Sequence, residues 1–106
     1  MSGMDERRNT FENKFAHDED LRFRAIARRN KMLGLWAAEK LGKTGEDAQA
    51  YAGEVVRADF EEAGDEDVIR KITADFSAAS VNVSDAELRV QLLDLLEEAA
   101  KQISAE

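Results

Sequence analysis

Three stretches of the chain carry residue types and spacings that chemistry could use, and each fails at a specific position. Gly42-Lys43-Thr44 has the ending of a phosphate-cradling loop, in which backbone amides and a lysine hold the phosphates of a nucleotide. Such a loop needs a glycine five residues before Gly42, with a strand ahead of it. That position holds Ala37, and the residues around it read as helix. The run 59–70 is acidic around Gly64, as a calcium loop would be. Its twelfth position, which must supply a bidentate glutamate, is Arg70. His17 is the one histidine and there is no cysteine, so a zinc site is not expected. No nucleophile has a plausible histidine base. Carboxylate pairs such as Glu61 and Glu62 lie in dense surface acid, where solvation is their expected role. No catalytic residue and no bound metal are expected, and the chain reads as a non-enzyme.

The basic residues offer a different chemistry, that of binding an anion. Arg22, Arg24, Arg28, Arg29 and Lys31 fall within one helical stretch. One reading makes Arg22, Arg28, Arg29 and Lys31 contacts for an adenine nucleotide, ATP or ADP, although no glycine-rich cradle accompanies them. The other makes them a solvated face paired with nearby acids. Charge is distributed unevenly. Residues 1–43 hold ten Lys or Arg against seven Asp or Glu, while residues 44–106 hold five against sixteen, for a net charge of −8. So acidic a body argues against nucleic acid and anionic lipid as partners.

The elements that must position these residues are helices. The 106 residues contain no proline and are rich in alanine, glutamate, leucine, lysine and arginine. That length gives one domain with a single small core. No run of about 18 apolar residues is present, so no membrane insertion is expected. The N-terminus lacks the apolar core of a signal peptide, and a cytoplasmic location follows.

Residues 14–41 form the spine, with a first helix expected over about 18–41. At ~100° per residue, Phe23, Ile26, Leu33, Ala37 and Leu41 make one apolar stripe, and Leu21, Ala25, Met32, Leu35 and Trp36 another. An arc that wide belongs to a helix with several neighbours, or leaves part of the second stripe as a partner surface. Gly42 is expected to end this helix in the left-handed conformation. Thr44 is the expected N-cap of a second helix that Gly64 closes. Asp65 caps a third, with Val68, Ile69, Ile72 and Phe76 on its apolar face. After a loop at 77–83, Ser84 with Glu87 forms a capping box for a fourth helix bearing Leu88, Leu92, Leu95, Leu96, Ala99 and Ile103.

The expected fold is all-α: a four-helix bundle at 18–106 with a long first helix, behind a flexible N-terminal arm at 1–17. The arm is polar apart from a few apolar residues, notably Phe11 and Phe15, which are four apart and share one face if helical. It is either a ragged terminus or a segment that becomes an amphipathic helix in a partner's groove.

The runs KFAHDEDLRF (14–23), ARRNKMLGLWAAEKLGKTG (27–45) and YAGEVVRADFEEAGDEDVIRKITADF (51–76) resemble the zeta subunit family of alpha-proteobacterial F-type ATP synthases. The resemblance covers about residues 5–103 and is only general over the fourth helix. It implies an inhibitor of ATP hydrolysis, a monomer when free, peripheral to the inner membrane through the synthase. The N-terminal segment would enter an α/β catalytic interface beside the γ subunit of the catalytic head, with the four-helix body outside. By position that segment is 4–20, and its most family-like residues are Phe11, Glu12, Lys14, Phe15, Ala16, His17 and Asp18. Phe11 and Phe15 would be the buried anchors, with Lys14 and the acids at the rim. Residues 1–4 and the loop 80–83 depart from the family pattern. A nucleotide-binding regulatory module and a non-inhibitory adaptor docking through Met32, Leu35 and Trp36 remain the alternatives.

Overall fold

Apolar residues three and four apart make a helix that needs neighbours, and four such helices form among the described residues. The computed structural model describes residues 19–59 and 65–105. In chain order these are α1 (Glu19–Lys40), α2 (Gly45–Ala58), α3 (Glu66–Ala78) and α4 (Asp85–Ser104), with no strand among the described residues. The all-α architecture with a long first helix is as expected. The arm, residues 1–17, lies outside the described residues.

The wide apolar arc of α1 contacts both α2 and α4. Leu33, Ala37 and Ala38 are fully buried on it, while Met32, Leu35 and Trp36 are half-buried. Phe23, expected on the inner stripe, is instead exposed. The Trp36 ring meets Phe76 of α3 edge-on, with centroids 5.9 Å apart at 67°. One main cluster joins Leu33 and Ala37 to Tyr51 and Val55 of α2, Val68, Ile69, Ile72 and Phe76 of α3, and Leu88 and Leu92 of α4. Gly34 permits the closest approach: a Cβ there would lie 2.6 Å from the Ala52 Cα of α2.

The ends of α1 and α3 share one design. Past α1, the Lys43 N–H reaches the Ala38 carbonyl at 2.9 Å and the Gly42 N–H that of Glu39 at 3.1 Å. This is a Schellman closure, with Gly42 at φ +80° as expected. Past α3, Val81 N–H reaches the Phe76 carbonyl at 2.8 Å and Ser80 N–H that of Ser77 at 3.2 Å. Here the left-handed position, φ +58°, is held by a serine. The third helix therefore runs to Ala78, and the loop after it is shorter than expected.

Two N-caps stand where the sequence places them, without the side-chain bond expected of a cap, and one helix end differs. Thr44 occupies the N-cap of α2, but its hydroxyl makes no cap bond. Asp65 precedes α3 in the cap position, also without a cap bond from its side chain. And α2 ends at Ala58, with Asp59 as C-cap, rather than continuing to Ala63. Phe60 and Gly64 lie outside the described residues. Ser84 does cap α4, its Oγ accepting the Glu87 N–H at 3.1 Å. On α4, Leu88, Leu92, Ala99 and Ile103 are buried, whereas Leu95 and Leu96 are only half-buried.

Candidate functional site

Phe11, Glu12, Lys14, Phe15, Ala16, His17 and Asp18 lie outside the described residues, immediately before α1. What the structure shows is the helix that carries them and the basic residues on it.

The basic cluster does not converge. At ~100° per residue, Arg24, Arg28 and Lys31 share one side of α1 and Arg22 lies roughly half a turn away. Arg22, Arg24 and Lys31 are exposed and Arg28 is half-buried. Arg29 points inward and is 1% exposed. Its Nε and Nη2 donate to Asn30 Oδ1 at 3.0 and 2.7 Å. Nη2 also donates to Asp65 Oδ1 at 2.8 Å. Arg29 is thus withdrawn from the nucleotide-contact set: its guanidinium is occupied inside the body, because a buried cation must be paired and hydrogen-bonded. The sequence held a signal for this that charge obscured. Arg29 is four residues after Ala25 and four before Leu33, on the buried stripe. Asp65 is explained by the same pair, since its carboxylate faces Arg29 instead of the α3 amides.

A second polar cluster ties α2 to α3. The buried Tyr51 hydroxyl donates to Asp75 Oδ2 at 2.7 Å. Lys71 donates to the same oxygen at 3.1 Å and lies 5.0 Å above the Tyr51 ring. Lys43 approaches the same ring at 5.9 Å. Burial, with the Asp75 carboxylate adding to it, pushes the Tyr51 phenol well above its ordinary range. The group is a neutral hydrogen-bond donor, not a base.

The depression between α3 and α4 has Ile69, Thr73 and Ala74 in its lining, with Arg70 and Arg89 beside them. Arg89 is already engaged, by Glu66 at 2.8 Å and by Asp85 at 2.7 Å. Its hydrogen bond to Glu66 lowers that carboxyl and raises the guanidinium. Among the described residues no group of three or more His, Cys, Asp or Glu is placed to hold a metal. Nor is any helix among them long and apolar enough to cross a membrane.

The family model for ATPase inhibitor subunit zeta matches residues 1–102. No curated protein matches the chain. Among solved structures, a solution NMR structure of a protein 49% identical in sequence matches with a TM-score of 0.72, covering 80% of this chain and 96% of that one.

Proposed function

Because the chain belongs to the ATPase inhibitor subunit zeta family, we propose that it blocks ATP hydrolysis by an F-type ATP synthase with the segment ahead of α1. The observation that carries this reading is the extent of the family match, residues 1–102, which takes in that segment as well as the body. The structure supports a division of labour. Among the described residues, the apolar stripes of α1–α4 are buried against one another from Ala25 to Ile103. Phe11 and Phe15 share one face if helical and would serve as anchors in a cleft formed by others.

The segment would fold into an α/β catalytic interface near γ and hold it in one conformation, so that the rotary cycle cannot complete. A wedge of this kind requires no chemistry from its own residues. Binding free energy that favours one state of the interface is sufficient. Phe11 and Phe15 supply the apolar anchors, and Glu12, Lys14, His17 and Asp18 the polar rim.

The adaptor alternative draws less support from the geometry. Trp36 is already packed on Phe76, with the Lys40 ammonium 5.3 Å above its ring. The deciding measurement is ATP hydrolysis by the purified synthase head, titrated with the full chain. Saturable inhibition is expected. An unchanged rate at saturating protein overturns the inhibitor reading.

A further inference from the structure

We propose that the outer face of α4 is a docking surface for a helical protein segment that carries an apolar row beside a row of Lys or Arg. Helix α4 is apolar on two sides. Leu88, Leu92, Ala99 and Ile103 are buried on the first. At ~100° per residue, Ala86, Val90, Leu93 and Ala100 share a second side, roughly a third of a turn away. Val90 is 58% exposed and Leu93 63%. They are three residues apart, so they are neighbours on the helix surface, unlike apolar side chains scattered singly. Leu96 is half-buried and continues the apolar surface from Leu93 toward the buried side. Among the described residues α4 packs on α1 and on α3, and neither covers Val90 or Leu93. A contiguous apolar strip left on an otherwise charged helix marks an interaction site.

Charge beside the strip decides what fits. Glu87, Asp94 and Glu98 are exposed and lie along one side of it, within about 40° of one another. No ion pair engages any of the three among the described residues. Glu98 accepts only from the neutral Gln102 amide, at 3.3 Å. The two cations of α4 are both taken: Arg89 by Glu66 and Asp85, and Lys101 by Glu97 at 3.5 Å. The unpaired charge at this face is therefore negative. It repels phosphate-bearing partners and attracts a row of lysine or arginine.

A second copy of the chain fits poorly. Antiparallel pairing across this face would set the carboxylate row against itself, between molecules each of net charge −8. Area points the same way. The 20 residues of α4 span about 30 Å, and a strip about 10 Å wide along them covers about 300 Å². That is well under the ~800 Å² that each side of a standard interface buries. A contact of this size is transient and depends on charge complementarity. The inference concerns the body of the protein and does not rest on the inhibitor reading.

Amide-resolved NMR of the full chain tests it, with a synthetic helical peptide of leucine and lysine as the probe and its leucine–glutamate counterpart as the control. The lysine peptide should give saturable shifts that are largest over 86–101 and absent from α2. Leu93→Ala should weaken its binding by about fivefold or more, as truncating a contact residue does. Asp94→Asn should weaken it by about twofold and reduce its salt dependence. Both side chains are exposed, so both variants should keep the parent's circular dichroism. Without peptide, dilution by about tenfold should move no amide. Equal binding of the glutamate peptide would reduce the face to apolar adhesion. Shifts spread over all four helices, or unchanged binding by Leu93→Ala, would place the contact elsewhere. Dilution shifts at 86–101 would give the face to a second copy. Each of these results overturns the proposal, as does a lysine peptide that moves nothing.

Discussion

Gly34 reverses the usual rule for glycine in a helix. In an isolated helix, alanine there would gain about 1 kcal/mol. At the α1–α2 crossing the added Cβ would lie 2.6 Å from the Ala52 Cα, and backbone cannot rotate away as a side chain can. Gly34→Ala should therefore destabilise the protein by about 1–3 kcal/mol, the range of overpacking, seen as a lower urea midpoint. Tyr51, the one tyrosine, gives a pH dependence of defined sign. Burial and Asp75 raise its pKa in the folded state above the ordinary phenol value of about 10. Its contribution is full below pH ~10, where both states keep the proton. It is lost as pH rises past ~10, because the unfolded chain then gives up a proton that the folded chain holds. Tyr51→Phe should show a shallower alkaline fall in melting temperature between pH 9 and 11. At neutral pH it should cost about 1–2 kcal/mol through the lost bond to Asp75.

The elements differ in how well their ends and faces are matched to their residues. Helix α3 closes on Ser80 at φ +58°, where a Cβ is unfavourable and glycine is not. Ser80→Gly should raise stability by about 0.5–1 kcal/mol, and a lower denaturation midpoint would show that the serine does something else there. On the inner faces, Leu33 of α1 is 0% exposed, while Leu96 of α4 is only half-buried. Leu33→Ala should cost about 2–5 kcal/mol. Leu96→Ala should cost about 1–2 kcal/mol, since truncating a half-covered side chain leaves no closed cavity. Similar costs in parallel urea melts would mean that α4 is rotated from the face described.

At the scale of the whole molecule, the proposed function divides the chain between a helical body and the segment ahead of α1. If Phe11 and Phe15 are the anchors, Phe15→Ala should weaken inhibition of ATP hydrolysis by about tenfold or more, the usual effect of truncating an interface anchor. Asp18→Asn should change it modestly and alter mainly the association rate and its salt dependence. Both variants should retain the helical signal in circular dichroism, since the core runs from Ala25 to Ile103. Undiminished inhibition by Phe11→Ala and Phe15→Ala would place the anchors elsewhere.

What the sequence alone determined is what depends on near neighbours along the chain. The periodic apolar residues specified four helices and most of their inner faces. Gly42 and Ser84 marked a stop and a start, because a left-handed closure and a capping oxygen act within a few residues. The distinctive runs at 14–23, 27–45 and 51–76 identified the family. Tertiary structure alone decided the roles that depend on distant partners. Arg29 lies on the buried stripe, yet only the approach of Asp65, 36 residues away, makes its burial tolerable. Thr44 and Asp65 have the right type and place for N-caps, but no local rule can show that a side chain is unused or taken by another helix. Gly34 looks like a weak point in a helix until Ala52 is seen to cross it. In each case an element from elsewhere in the chain arrives within a few ångströms, and contact energy over that distance outweighs a local preference of about 1 kcal/mol.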